Sequence, residues 1–205
     1  MEKNKTTLNT YQEHFDNYVA KTPQETTGMQ KEWIESLLSQ IDYDTPILEI
    51  GSAFGRDAAF IQAAGFSNIA LTDAFDAAIR ELHERGFEAS KLNILTDEPE
   101  EKYGLIFASA VFLHFTAEEL ESVLRKLSSH LEQDGILSFS VKQGDGEEWT
   151  SEKMEAPRYF RYWQPEPLRE VVEANGYEVT TLDNIDDSQK WLAVTCRPSF
   201  TTIVA

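Results

Sequence analysis

The stretch Ile47-Leu48-Glu49-Ile50-Gly51-Ser52-Ala53-Phe54-Gly55-Arg56-Asp57 runs from a short apolar strand through a glycine loop into a helix. In an open parallel sheet this first turn is where ligands bind. The strand's carboxyl end opens onto the crevice, and the helix N-terminus presents unpaired N–H groups. Glycines at 51 and 55 are expected to let a ligand approach the backbone. A dinucleotide turn needs G-x-G-x-x-G, whose second glycine admits the pyrophosphate, and here Ala53 stands at that place. The chain contains no Gly-Lys-Ser/Thr and no G-x-S-x-G, so it has neither a P-loop nor a hydrolase nucleophile elbow.

Outward from this loop, apolar runs of strand length alternate with segments of helical period, the rhythm of a mostly parallel sheet with helices on both faces. Arg56 to Ala64 reads as a helix stopped by Gly65, Ile69 to Thr72 as a second strand, and Ala74 to Glu84 as a helix ending at Gly86. A short third strand is expected near Glu88 to Leu92. Beyond the acidic loop Thr96 to Lys102 comes a fourth strand, Leu105 to Ala108. Thr116 and Glu119 form a capping-box pair for a helix from about Ala117 to Leu131. Ile136 to Val141 is the fifth strand, and Pro165 suits the first turn of a helix running to Asn175. Strands at Tyr177 to Leu182 and Lys190 to Cys196, joined by the acidic turn Asp183 to Asp187, close the domain.

Ahead of the first strand, Leu8, Tyr11, Phe15, Tyr18 and Val19 share one helical face, and Trp33, Ile34, Leu37, Leu38 and Ile41 form a second stripe. Two N-terminal helices are expected. The organisation read from this is a helical cap over 1–45, a core over 46–197 and a tail over 198–205.

Asp73 closes the second strand 22 residues after Gly51, near the spacing of a carboxylate that accepts from ribose hydroxyls. A glycine loop and a ribose acid without phosphate determinants suggest an adenosine-type ligand that lacks phosphates, a description S-adenosylmethionine fits. Over roughly residues 10–197 the chain resembles the class I S-adenosylmethionine-dependent methyltransferases. Glu49-x-Gly51-x-x-x-Gly55 resembles their first motif, in a Gly55-Arg56-Asp57 variant. Leu71-Thr72-Asp73 matches the ribose-binding strand, and Tyr103 to Ser109 followed by Phe112-Leu113-His114 resembles the fourth strand. Leu131 to Leu137 is similar to the turn into strand five.

The resemblance implies a Rossmann-like doubly wound sheet of about seven strands, the last antiparallel, with the N-terminal helices over the cofactor. It implies S-adenosylmethionine as cofactor and S-adenosylhomocysteine as product. Cofactor contacts carried over with it are Glu49, Gly51, Ser52, Ala53, Gly55, Asp73, Ala74, Ile94 and Ser109. Arg56 is expected on the methionine carboxylate, Asn93 on the adenine amino group, and Tyr11 and Met29 on the covering side. Asn93 stands where the family commonly has Asp, and an Asn carbonyl oxygen can make the same bond.

With 18 Lys+Arg against 36 Asp+Glu the net charge is −18, a field that repels phosphate backbones and anionic membrane surfaces. Nucleic acid and membrane are therefore not expected as partners. The single cysteine, Cys196, excludes an intrachain disulfide, and no His/Cys cluster has zinc-ligand spacing, so no metal is expected. The start Met1-Glu2-Lys3-Asn4-Lys5 lacks a signal-peptide apolar run, which gives a cytoplasmic expectation.

The leading reading is methyl transfer to a small-molecule acceptor. A protein, peptide or nucleic-acid methyltransferase and a non-catalytic cofactor-binding protein stay open as alternatives. His114 is a candidate general base and Tyr18 a second catalytic candidate. The segment Lys142 to Trp163 shows no clear period and reads as a mobile lid that selects the acceptor through Lys142, Arg158, Tyr159 and Tyr162.

Overall fold

The computed structural model describes residues 2–186, 188 and 190–199. The expected tail over 198–205 therefore lies largely outside the described residues, as does Asp187 of the acidic turn.

The helices are α1 (Glu2–Glu13), α2 (Phe15–Ala20), α3 (Gly28–Leu38), α4 (Arg56–Ala63), α5 (Asp76–Glu84), α6 (Ala117–Ser129) and α7 (Pro165–Ala174). The strands are β1 (Ile47–Ile50), β2 (Ile69–Asp73), β3 (Ala89–Lys91), β4 (Tyr103–Ala108) and β5 (Leu131–Gln143), then β6 (Glu147–Thr150), β7 (Arg158–Trp163), β8 (Tyr177–Asn184) and β9 (Trp191–Pro198). Strands β3-β2-β1-β4-β5 lie side by side and parallel, β9 runs antiparallel on β5, and β8 pairs with β9. This is the expected doubly wound sheet, a Rossmann-like arrangement with an antiparallel closing strand.

All four residues of β1 and all six of β4 are buried, as a strand covered on both faces requires. Their side chains alternate between two cores. Ile47, Leu105 and Phe107 pack with Trp33, Ile34, Leu37 and Leu38 of α3. Leu48, Ile50, Ile106 and Ala108 pack instead with Leu120, Val123, Leu124 and Leu127 of α6 and with Leu168 and Val172 of α7. The capping box at Thr116 is present in both directions, with Glu119 N–H donating to Thr116 Oγ1 and Thr116 N–H to Glu119.

Two expectations change. The first apolar stripe is two helices, because His14 (φ −120°, ψ 26°) leaves helical geometry between α1 and α2. The bend keeps Phe15 packed on Phe75, ring centroids 5.3 Å apart, while Tyr11 stacks on Phe75 from α1 at 5.7 Å.

The segment after β5 is not an irregular lid. Its aromatic run Tyr159-Phe160-Arg161-Tyr162-Trp163 suits a pleated, half-buried surface and forms β7. β7 pairs antiparallel with β6 and extends the sheet by pairing Tyr162 and Trp163 with Lys142 and Gln143 at the end of β5. The connection between β6 and β7 is pinned by Met154, which is fully buried. α1 lies against this hairpin. Thr10 Oγ1 donates to Pro157 O at 2.7 Å, and Tyr159 N–H donates to Thr7 Oγ1 at 3.0 Å.

Candidate active site

The loop after β1 is shaped by main-chain hydrogen bonds. Gly51 and Ser52 both donate their N–H to Thr72 O at 2.8 and 2.9 Å, and Thr72 Oγ1 donates back to Glu49 O at 2.8 Å. Gly51 (φ +77°) is needed for its conformation and for its neighbour, since a Cβ there would lie 2.4 Å from Val111 Cγ2. Gly55 (φ +83°) is kept bare by Phe87, whose ring would meet a Cβ at 2.5 Å. The expected ligand approach at Gly55 is thus replaced by internal packing.

Ala53 holds a left-handed conformation (φ 51°), which costs a non-glycine residue about 1–2 kcal/mol. Its N–H donates to Asp73 Oδ2 at 2.9 Å, while Ala74 N–H reaches Asp73 Oδ1 at 2.7 Å. Burial pushes the Asp73 carboxyl up to about 6, and these backbone donors oppose the shift. Burial, reinforced by the negative charge of Asp57, pushes Glu49 up to about 8. Glu49 Oε2 and Ser52 Oγ are buried with no hydrogen-bond partner.

Two cavities meet beside this loop. The first has about 670 Å³ of empty space, part of it open to solvent. Gly51, Ala53, Asp73 and Ala74 line it from the loop and the end of β2. Asn93 and Ile94 close its far side, and Asn4, Thr7, Leu8 and Tyr11 of α1 lie over it. Asn93 Oδ1 accepts from Leu95 N–H at 3.1 Å, which leaves one of its two lone pairs. The second cavity is larger, about 1620 Å³ and also open, and is reached by Met29, Gln30, Arg56, Lys142, Lys153 and Arg158. Tyr11, Tyr18, Ser109, Ala110 and His114 belong to both walls.

That shared wall is a hydrogen-bonded chain. His114 Nδ1 lies 2.7 Å from Tyr159 O, a carbonyl that can only accept, so Nδ1 carries the proton. Nε2 is then an acceptor, and Tyr11 Oη donates to it at 3.0 Å. Arg158 Nη1 in turn donates to Tyr11 Oη at 3.2 Å. Burial, with the Arg158 and Lys142 charges, drives the imidazole down to about 3 against one opposing bond, so His114 is neutral at physiological pH and a poor proton acceptor. Burial raises the Tyr11 and Tyr18 hydroxyls, which keeps both protonated. His114 and Tyr18 both stand at the site, but the neutral imidazole is too weakly basic and the Tyr18 phenol too firmly protonated to serve well as a general base.

Arg56 is oriented by its neighbour. Its Nε and Nη2 donate to the two oxygens of buried Asp57 at 2.8 and 3.0 Å, a forked pair that leaves Nη1 for another partner. Asp57 also accepts from Thr26 Oγ1 at 2.7 Å and from Gln30 Nε2 at 3.1 Å, which ties α3 to the loop.

The family follows from comparison with known proteins. A family model described as a methyltransferase domain matches residues 18–182, most of the chain. The chain belongs to this methyltransferase family. No curated protein sequence matches it. Among solved structures, the methyltransferase resembles the DhpI complex with SAM and HEP (TM-score 0.75, 16% identity, 96% of this chain and 98% of that one). It is similar also to the CcbJ methyltransferase from Streptomyces caelestis (0.71, 15%, 95% and 98%). The glycopeptide N-methyltransferase MtfA follows (0.68, 10%, 89% and 96%). These likenesses establish the class I methyltransferase fold.

Several residues expected at the site of this methyltransferase stand back from both cavity walls. Glu49 in β1 and Ser52 and Gly55 in the loop line neither cavity. Tyr159 is buried on the other face of β7, its hydroxyl 2.5 Å from Glu147 Oε2, because alternate residues of a strand face opposite ways. Tyr162 donates to Glu148 on the neighbouring strand.

The sequence reading missed Lys153, Gln30 and Thr26, and it gave Asp57 no role at the site. Lys153 lies in the connection between two strands that were not recognised. The β-favouring run 159–163 was the available signal. Among the described residues no group of His, Cys, Asp and Glu is arranged to hold a metal, and no helix is long and apolar enough to cross a membrane.

Proposed function

We propose that this protein transfers the sulfonium methyl group of S-adenosylmethionine to a small-molecule acceptor, leaving S-adenosylhomocysteine. The first cavity takes the adenosine and the second takes the acceptor. The observation that carries this reading is the shared wall: a ligand reaching from Asp73 to Arg56 passes Tyr11 and His114, where the two cavities join. The complexes of DhpI with SAH and with SAM and HEP, and of MtfA with SAM, support it by analogy of fold.

The residues present fit such a cofactor. Asp73 keeps acceptor capacity for ribose beyond its backbone bonds, and Asn93 Oδ1 keeps one lone pair for the adenine amino group. Phe75, Leu92 and Ile94 supply apolar walls. When bound, the cofactor supplies an activated methyl carbon on a positively charged sulfur.

The chain's own part is positioning. Asp57 fixes the Arg56 fork toward a carboxylate, and the Arg158–Tyr11–His114 chain fixes the wall between methyl donor and acceptor. Bringing two reactants together in a buried, oriented site supplies much of the rate of such a displacement. A net charge of −18 supports a small molecule over a nucleic acid, and a cytoplasmic location is part of the proposal.

Calorimetry is expected to show S-adenosylmethionine and S-adenosylhomocysteine binding, with NADH and ATP far weaker. A metabolite extract supplied with methyl-labelled cofactor should yield a product heavier by the label. Equal affinity for NADH would overturn the cofactor assignment, and formation of methylthioadenosine instead of S-adenosylhomocysteine would overturn methyl transfer.

A further inference from the structure

The second cavity concentrates positive charge in a protein that is strongly negative overall. Arg56, Lys142, Lys153 and Arg158 all reach its wall. Arg56 is matched by Asp57, but the other three make no ion pair with a carboxylate among the described residues. Aromatic rings hold them instead. Lys142 Nζ and Arg158 Cζ each lie 5.0 Å from the centroid of the same Phe160 ring, and Lys153 Nζ lies 4.5 Å from that of Tyr18. An aromatic face positions a cation without cancelling its charge.

Two acids share the cavity wall, Glu152 and Asp186. Glu152 is exposed at the rim, and Asp186 is occupied by the turn before β9, where its Oδ1 accepts from the N–H groups of Lys190 and Trp191. Arg158 is 5% exposed, and its Nε is buried without a hydrogen-bond partner. The Arg158 guanidinium is held by the Tyr11 hydroxyl and the Phe160 ring, so its charge is not matched by a carboxylate among the described residues. Burial and the facing cations lower Lys142 and bring Lys153 down to about 8, the direction expected of cations awaiting a counter-charge.

We propose that the acceptor is a small molecule bearing a doubly charged oxyanion, a phosphate-like group or a pair of carboxylates, seated among Lys142, Lys153 and Arg158. This rests on the reading of the second cavity as the acceptor site. Three cations in one cavity favour two negative charges over one, and they disfavour amines.

The test uses the full chain loaded with S-adenosylhomocysteine, with inorganic phosphate and succinate as probes of the two oxyanion sources and acetate as the singly charged control. Calorimetry is expected to show phosphate or succinate binding in preference to acetate, with the preferred probe identifying the source. Lys142→Gln and Lys153→Gln should each weaken that binding at least about tenfold, the loss of one charge-assisted bond, and leave S-adenosylhomocysteine affinity within twofold. At pH 8 binding should take up protons, because an anion raises Lys153 again; Glu152 and Asp186 are the acids that share its cavity. When a metabolite extract is split on an anion-exchange resin, methyl-accepting material should be retained.

Acceptor activity in the unretained fraction, or no binding of either dianion to the loaded protein, would overturn the inference and leave the cofactor assignment standing. Failure to bind S-adenosylhomocysteine would overturn the proposed function itself. Both lysines approach solvent, so these variants are expected to fold even where a change at buried Arg158 would not.

Discussion

The two cavities are built by different means. Around Asp73 and the loop after β1, the geometry of the loop is set largely by main-chain N–H and C=O groups, with α1 laid over the cavity from a distant part of the chain. The larger cavity is assembled from side chains far apart in the chain: Tyr11 from α1, Arg56 from α4, Lys142 from β5 and Arg158 from β7. A loop held by main-chain bonds tolerates substitution where no close approach forbids a side chain, as one does at Gly51 and Gly55. A wall made of interlocked side chains depends on each of them.

Asp57→Ala tests this contrast most severely. It strips the counter-charge from Arg56 and the acceptor from Thr26 and Gln30, and removing one partner of a buried ion pair costs about 3–5 kcal/mol. Denaturant unfolding should show a loss of that size. A loss under 1 kcal/mol would mean that this wall does not depend on its side-chain network. Tyr11→Phe comes next, at about 1–3 kcal/mol, since His114 Nε2 and Arg158 Nη1 each lose a partner in a buried setting. Methyl transfer should fall further than cofactor affinity, because the Tyr11 hydroxyl lies on the shared wall. Equal losses in both would assign Tyr11 to the cofactor side alone.

Glu49 allows a test by pH. Its folded pKa of about 8 exceeds the ordinary carboxyl value, so the stability it contributes is full below about pH 4.5 and is lost as pH rises through 8. Relative to Glu49→Gln, wild type should therefore lose unfolding free energy between pH 5 and 8. His114 works in the opposite sense. Its folded pKa of about 3 lies below the ordinary imidazole value, so its contribution is present above about pH 6.5 and is lost as pH falls toward 3. Parallel profiles for wild type and Glu49→Gln would show that Glu49 is not held protonated.

The smallest effect belongs to Ala53→Gly. Relief of the left-handed backbone and the added freedom of glycine when unfolded nearly cancel, so stability should move by under about 1 kcal/mol. Thermal unfolding would record it, and a larger loss would mean that the alanine methyl group is needed for packing.

The same contrast explains what could be read from the sequence. The strands and the loop were legible because a strand buried on both faces writes itself as an apolar run, unbroken at Leu105–Ala108 and interrupted only by Glu49 at Ile47–Ile50, and because Asp73 follows Gly51 at a telling distance. The family assignment rested on those local signals. The hairpin was not legible in the same way. Its strands are joined by seven residues with no tight-turn pair, and the exposed Glu147-Glu148 resembles a solvated loop. With the hairpin unrecognised, Lys153 had no expected position, and Tyr159 could not be assigned to the face that turns from the cavity. The split at His14 was equally hidden, since the apolar stripe continues across it. Asp57 was given no role of its own because its partners Thr26 and Gln30 come from the preceding connection and helix.

The attachment of β6 and β7 to the sheet has a consequence for how acceptor choice can change. The segment leaves β5 and returns to the start of α7 at adjacent points, with Gly144 N–H donating to Trp163 O at 3.1 Å where the two ends meet. A hairpin of different length or charge could be grafted between those points without moving β5 or α7. Three of the four cations on the larger cavity lie within or next to this exchangeable cassette, while Gly51, Ala53, Asp73 and Asn93 lie wholly outside it. On the proposed reading, one contiguous block carries most of the acceptor-facing charge, and it touches the first cavity through Tyr11 and His114 alone of the residues the two walls share, so a transplanted block has to keep the bonds from Arg158 and Tyr159 O to those two side chains.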